Sequence, residues 1–114
     1  MHEVSLAGGI LALMEKTAER ECFVRVTHLL LEAGGFCGVD VRALRFALEA
    51  IAPGTLLDGA TVEIREMRGR AWCWDCAAEV EHRARGAACP TCGGHRLHVK
   101  AGTDLRVIEM RVAG

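Results

Sequence analysis

Apolar residues recur at steps of three and four in two segments of the chain, residues 3–19 and 41–52. That spacing is the period of an amphipathic α-helix, so it predicts one helix in each segment. Asp40 is a typical N-cap for the second helix, and Pro53 and Gly54 mark its end. The positions expected on the buried sides are Leu6, Ile10, Leu13, Met14, Thr17, Leu44, Ala47, Leu48 and Ile51.

Three further segments are rich in β-branched residues or alternate apolar with polar side chains, which predicts β-strands. They cover residues 22–33, 61–67 and 104–112. The order strand, helix, strand predicts a right-handed crossover that leaves the first two strands parallel. In the third strand the apolar phase slips between Val107 and Ile108, which indicates a bulge or burial on both faces.

Residues 68–100 lie between the second and third predicted strands and contain few apolar side chains apart from cysteine, alanine and tryptophan. Such a segment has too little apolar surface to fold by burial alone. Our interpretation is an α/β platform formed by residues 1–67 and 101–114, with residues 68–100 as a metal-stabilised insertion. The predicted fold class is therefore α/β, with a small mixed three-stranded sheet, two helices and an inserted zinc-ribbon-like domain.

Four cysteines of this insertion form two CxxC pairs separated by twelve residues. One CxxC turn directs two thiolates at a single ion, and two such turns complete a tetrahedral zinc site. Because four protein ligands leave no open position, the predicted zinc is structural. Redox-active or simply buried thiols are the alternative. The predicted zinc ligands are Cys73, Cys76, Cys89 and Cys92.

The chain has 114 residues, of which 51% are hydrophobic and 25% charged, which is typical of one folded domain with at most a small second one. Its longest uncharged apolar run, from Leu6 to Met14, has nine residues, whereas a membrane span needs about 20. Glu3 precedes that run and Glu15 and Lys16 follow it, which is unlike a secretory signal. We therefore expect a cytoplasmic protein with no membrane partner.

Charge argues against nucleic-acid binding. Residues 68–100 carry six arginine or lysine residues against three aspartate or glutamate residues, and four thiolates on one zinc ion offset about two of those positive charges. The whole chain has a formal net charge of −1, unlike the basic footprint of a nucleic-acid-binding domain. Trp72 and Trp74 are expected to pack over the cysteine turns. The sequence has no P-loop and no nucleophile elbow, so no enzymatic activity is expected.

The other cysteines and histidines are expected to have ordinary structural roles. Cys22 and Cys37 are interpreted as small buried residues, and His28 as a partly buried residue on the inward side of the first strand. Three histidines near the cysteine pairs are expected in solvated loops: His82, His95 and His98.

The first residues, Met1, His2 and Glu3, place an amine, an imidazole and a carboxylate side by side. The α-amine, the deprotonated amide nitrogen of His2 and its Nδ1 atom can close fused chelate rings around one ion. A fourth donor completes the square-planar geometry that suits Ni(II) or Cu(II). Any chain that begins Met-His offers the same atoms, so an unimportant frayed terminus is the alternative.

Four segments together resemble the HypA/HybF family of hydrogenase nickel-incorporation proteins. They are MHEVSL, LRFALEAIAPGTLLDGATVEI, CWDCAAEVEHRARGAACPTCGG and GTDLRVIEMRV, in that order across nearly the whole chain. The resemblance implies a small metallochaperone that binds Ni(II) at its N-terminus, holds a structural Zn(II) and helps to insert nickel into the large subunit of nickel-iron hydrogenase. It also implies a partner GTPase, HypB.

Carried over position by position, the resemblance makes His2 the essential nickel ligand, with Met1 and the backbone amide of Glu3 completing the nitrogen set. It places Asp40 near the nickel as an accessory residue and assigns zinc to the four cysteines. We expect a monomer or a homodimer. The alternatives are a zinc-ribbon adaptor that delivers no nickel and a thiol oxidoreductase that uses a CxxC pair.

Overall fold

The structure is a computed structural model that describes residues 2–82 and 87–114. Within these ranges it contains two helices and six strands, and neither helix is long and apolar enough to cross a membrane. In chain order the elements are α1 (His2–Glu21), β1 (Arg25–Gly34), α2 (Val41–Ile51), β2 (Thr61–Met67), β3 (Gly69–Cys73), β4 (Ala78–His82), β5 (Leu97–Ala101) and β6 (Leu105–Ala113).

The strands form two three-stranded sheets, ordered β2-β1-β6 and β4-β3-β5. The chain divides into two compact units. The first unit consists of Met1–Leu31, Val39–Ile64 and Val107–Gly114, and the second of Glu32–Gly38 and Arg65–Arg106. The predicted class, an α/β fold with two helices, a three-stranded sheet and a cysteine-rich insertion, is confirmed. The second sheet was not predicted.

The core of the first unit combines one stripe of each helix with residues of β1. Helix α1 contacts α2, and Met14 and Leu48 are almost fully buried. Each fully buried aliphatic side chain of this size contributes about 1.5–3 kcal/mol relative to exposure. Leu13, which was expected on the buried side of α1, is 55% exposed because the stripe follows Ala7, Ile10 and Met14 instead.

Helix α2 begins and ends where its flanking residues predict. Asp40 Oδ1 accepts a hydrogen bond of 3.1 Å from the Ala43 N–H, which satisfies one of the first-turn donors. Beyond the helix, Gly54 has a φ of +79°, in the left-handed region that glycine adopts without steric cost. The capping role expected for Asp40 is therefore confirmed.

Strand β1 buries a different set of side chains from the predicted one. Val26, Leu29 and Leu31 are buried, whereas His28 is exposed and its Nδ1 lies 3.2 Å from the Thr27 hydroxyl. The prediction of a partly buried His28 is wrong. Apolar residues occur at both odd and even positions of this strand, so alternation alone does not determine which side faces the core.

The prediction that Cys22 is buried is also wrong. Cys22 is exposed; it follows α1 with a φ of +58°, and the Phe23 N–H donates to the Ala18 carbonyl at 3.2 Å. That hydrogen bond closes the C-terminus of the helix and turns Cys22 outward. For the third predicted strand, where a bulge and burial on both faces were the alternatives, Ile108 is 42% exposed, which excludes burial on both faces of β6.

Gly8 and Gly9 lie inside α1, where a Cβ atom added to either would meet nothing within 4 Å. Alanine is favoured over glycine in a helix interior by about 1 kcal/mol, so we expect Gly8→Ala to raise the free energy of unfolding by about that amount. Urea denaturation followed by circular dichroism measures it. The contrasting variant is Gly69→Ala, which should lower the free energy of unfolding because the Cβ atom of the new alanine would overlap the buried Phe36 ring. An unchanged stability of Gly8→Ala would contradict the expectation.

Candidate metal centre

The four cysteine thiols of the second unit converge on one point. Their Sγ atoms all lie within 4.8 Å of one another, with Cys73 and Cys92 separated by 3.6 Å and Cys76 and Cys89 by 3.8 Å. Four sulfurs placed about 2.3 Å from a zinc ion form a tetrahedron with edges of about 3.8 Å. The donor set therefore fits a tetrahedral zinc ion. The observed separations far exceed a disulfide bond of about 2.05 Å.

The two CxxC turns have matching backbone geometry. In each turn the first cysteine accepts a backbone hydrogen bond of 3.4 Å, from the Cys76 N–H to Cys73 Sγ and from the Thr91 N–H to Cys89 Sγ. In each turn the residue after the second cysteine is left-handed, with φ of +51° at Ala77 and +76° at Gly93. Such turns leave backbone N–H groups pointing at sulfur, which stabilises the thiolate that a metal requires.

Hydrogen bonds give the thiols different proton affinities. Hydrogen bonds from the backbone N–H of Cys92 and, with a smaller effect, of Thr91 lower the pKa of Cys89 to about 6. Hydrogen bonding with Cys92 and then Cys73 raises the pKa of Cys76 to about 12. The hydrogen bonds therefore favour the ionised form of Cys89 and oppose the ionisation of Cys76. A bound divalent cation removes that opposition, and its binding releases protons because ligating thiols must be deprotonated.

The centre is closed on one side and open on the other. Cys73 and Cys89 are buried, Cys76 is half-buried and Cys92 is exposed. Four cysteine ligands leave no coordination position for a substrate, so a zinc ion bound by these thiols would cross-link the second unit structurally.

A charged pair links the two turns outside the cluster. Arg96 donates through Nη2 and Nε to Asp75 Oδ1, at 2.6 and 3.0 Å. Asp75 lies in the first CxxC turn and Arg96 follows the second, and the ion pair raises the pKa of Arg96. Sequence reasoning missed this pair, because no spacing rule connects residues 21 positions apart in a segment without regular periodicity.

The tryptophans do not cover the centre as expected. Trp74 is 61% exposed, and its ring meets that of Trp72 edge to face at a centroid distance of 6.3 Å. The prediction that Trp74 packs over the cysteine turns is therefore wrong. Among the nearby histidines, His95 and His98 are exposed as expected, although His98 lies on β5 rather than in a loop. The side chain of His82 lies outside the described residues.

A second set of candidate residues belongs to the first unit. Glu3 Oε2 accepts a hydrogen bond of 3.2 Å from the backbone N–H of Asp40, so two residues 37 positions apart meet at the N-terminus of α2. Met1 and the side chain of His2 lie outside the described residues, while α1 begins at His2. The structure therefore brings together Glu3 and Asp40, which the sequence connected only through a family resemblance.

Together, the fold and the thiol cluster define a small α/β metal-binding protein. Residues 1–112 match the family described as hydrogenase/urease nickel incorporation, metallochaperone, HypA, and the chain belongs to this family. The resemblance found in the sequence is confirmed.

Similar proteins cover almost the whole chain. The hydrogenase maturation factor HypA of Cupriavidus necator is 63% identical over 98% of this chain and 94% of its own length. That of Polaromonas naphthalenivorans is 58% identical over 99% and 98%. The solution structure of the Ni metallochaperone HypA from Helicobacter pylori matches with a TM-score of 0.66 at 18% identity, covering 97% of each chain, and supports the fold.

Proposed function

We propose that this protein binds Ni(II) at its N-terminus and helps to insert it into nickel-iron hydrogenase during maturation, with no catalytic turnover of its own. The family match over residues 1–112, together with the residues Met1, His2 and Glu3, is the observation that carries the proposal. Relatives that align over nearly the full chain bear the name hydrogenase maturation factor HypA.

The proposed nickel donors are the α-amine of Met1, the amide nitrogen and Nδ1 of His2, and the backbone amide of Glu3. The first four N–H groups of an α-helix have no intrahelical acceptor, so amides at the start of α1 are available for deprotonation. The positive end of the helix dipole favours the resulting negative charge. Four such nitrogens suit square-planar Ni(II).

Asp40 is proposed as an accessory residue of the same site. The contact between Glu3 Oε2 and the Asp40 N–H fixes the first turn of α1 beside the N-terminus of α2. A carboxylate on Asp40 adds negative potential close to the incoming cation, while its Oδ1 continues to cap α2.

We further propose that Zn(II) occupies the cluster of Cys73, Cys76, Cys89 and Cys92 as a permanent structural ion. In this proposal residues 68–100 are the zinc-binding insertion, and residues 1–67 with 101–114 are the nickel-binding platform. The cluster geometry supports zinc, since its Sγ separations of 3.6 and 3.8 Å match a tetrahedron of thiolates.

The proposed partners are a HypB-type GTPase and the large subunit of nickel-iron hydrogenase, encountered in the cytoplasm by a monomer or homodimer. The sequence has no glycine-rich loop ending in Lys-Ser or Lys-Thr, so P-loop nucleotide hydrolysis has to be supplied by another protein. The net charge of −1 gives no support to a nucleic-acid partner.

Calorimetric titration of Ni(II) into zinc-loaded protein with its native N-terminus tests the nickel site. We expect one tight site per chain. Acetylating the α-amine of Met1 converts it into an amide without supplying a new amine and should weaken binding at least about tenfold, because one ligand of the chelate is lost. Equal nickel affinity of the native and acetylated chains would overturn the proposal and favour a zinc-containing adaptor that delivers no nickel.

A further inference from the structure

Strand β6 is an outer strand of the first sheet. The sheet is ordered β2-β1-β6, so among the described residues no strand pairs with the far side of β6. The strand is 9 residues long and contains neither proline nor lysine, two residues that commonly block an exposed edge. An edge of this kind offers its backbone N–H and C=O groups to a further strand.

Contacts with β1 show which backbone groups of β6 face the open edge. The Ala113 carbonyl accepts a hydrogen bond of 3.2 Å from the Val24 N–H, and the Arg111 carbonyl accepts one of 3.2 Å from the Thr27 hydroxyl. The two strands therefore run antiparallel, and alternate residues of β6 direct their N–H and C=O groups to opposite sides. Met110, which precedes Arg111, directs these groups to the open edge.

The sequence of β6 is complementary to itself around Met110. Apolar and charged residues alternate strictly over residues 108–112, in the order isoleucine, glutamate, methionine, arginine and valine. When two copies pair antiparallel with Met110 opposite Met110, Ile108 lies opposite Val112 and Glu109 lies opposite Arg111, once on each side of the two-fold axis. This register places apolar side chains against apolar ones and each carboxylate against a guanidinium group.

The side chains that meet in this register are exposed in the single chain. Ile108 and Val112 are 42% and 46% exposed. The side chains of Glu109 and Arg111 are 54% and 68% exposed, and their charged groups lie 3.2 Å apart. Residues directly opposite in an antiparallel pair point to the same face, so two copies bring together four charges of alternating sign. Such a network contributes more than one isolated surface ion pair.

Other pairings are less complementary. An axis through Arg111 would place that arginine directly against the partner's Arg111, and like charges directly opposite destabilise a strand pair. The other outer strand, β2, would place Val62 opposite Glu66 if it paired with itself around Ile64. In addition, Arg45 Nη1 already donates to the Val62 carbonyl at 2.5 Å. The observations therefore favour β6 and the axis at Met110.

We propose that this protein forms a symmetric homodimer in which the β6 strands of two copies pair antiparallel around Met110. The Glu109 carboxylate pairs with the partner's Arg111, Ile108 packs on the partner's Val112, and the two first sheets become one continuous sheet. Because the paired segment is short, the interface is small and the dimer forms in a concentration-dependent manner. No proposed nickel or zinc donor lies in this segment, so the dimer is independent of the proposed function.

Sedimentation velocity of zinc-loaded, nickel-free protein, at concentrations from about 5 to 500 µM, tests the proposal. We expect a monomer–dimer equilibrium. Glu109→Arg and Arg111→Glu each place like charges opposite one another on both sides of the axis, so each should raise the dimer dissociation constant at least about tenfold. Lys16→Glu, a charge reversal at an exposed position of α1, is the matched control and should leave that constant unchanged.

Mixing the two charge-reversal variants distinguishes pairing between chains from a loss of folding. In a mixed dimer each arginine at position 109 or 111 of one chain faces a glutamate of the other, so the mixture should dimerise at concentrations at which neither variant does so alone. A protein that stays monomeric at every concentration, an equal dissociation constant for the unaltered protein and both variants, or a mixture that does not associate would each overturn the proposal.

Discussion

Replacing His2 with alanine is expected to lower the affinity for Ni(II) about 100-fold or more. The substitution removes the imidazole Nδ1 donor and the six-membered chelate ring that it closes, while the amide nitrogens remain. Loss of a residue that only supports a metal ligand typically costs 10–100-fold in affinity, so the loss of a ligand sets a larger expectation. Calorimetric titration of the zinc-loaded variant with Ni(II) measures the change.

The matched control is His28→Ala. His28 is exposed on β1 and its Nδ1 atom contacts the Thr27 hydroxyl, so removal of the His28 imidazole should leave nickel affinity unchanged. Asp40→Asn separates the helix-capping role of Asp40 from its proposed electrostatic role, because asparagine caps a helix as well as aspartate does but carries no charge. If His2→Ala and His28→Ala bound nickel equally, the imidazole of His2 would not be a ligand.

The helices of this protein could be predicted from sequence because local signals agree with the tertiary structure. Asp40 and Gly54 bracket α2, and its buried stripe consists of Leu44, Ala47 and Leu48, which were all predicted. In β1 the same reasoning failed at His28, since valine and leucine occupy both sides of the strand and packing selects between them. Pattern predicts an element better than it predicts which side of the element is buried.

The cysteine centre could be predicted for a different reason. Two CxxC turns specify ligands by local geometry, so the convergence of four Sγ atoms follows from the turns themselves. The strands around the centre were missed because each has only 5 residues, too few to stand out from the surrounding loops, although β4 and β5 do alternate apolar with polar residues. The Asp75–Arg96 pair and the open position of Trp74 depend on that sheet, so neither was predictable without it.

Zinc should decide whether the second unit folds. Among its described residues the buried hydrophobic side chains are few, and only one of them is large: Ala33, Phe36, Ala71, Cys73 and Cys89. Burial on this scale does not offset the conformational entropy of ordering about 50 residues. Binding of a structural zinc ion contributes about 10–16 kcal/mol in small zinc domains, and that free energy is folding free energy because the site does not exist in the unfolded chain.

We therefore expect Cys73→Ala to reduce bound zinc from one ion per chain to nearly none and to unfold the second unit. Tryptophan emission should shift to the red, because Trp72 and Trp74 both belong to that unit. The helical circular dichroism should persist, since α1 and α2 belong to the first unit. Cys22→Ser, a change at an exposed thiol outside the cluster, is the matched control and should alter neither signal. A collapse of the helical signal together with the emission shift would mean that the first unit cannot fold without the zinc centre, and an unchanged emission spectrum without zinc would mean that packing alone holds the second unit.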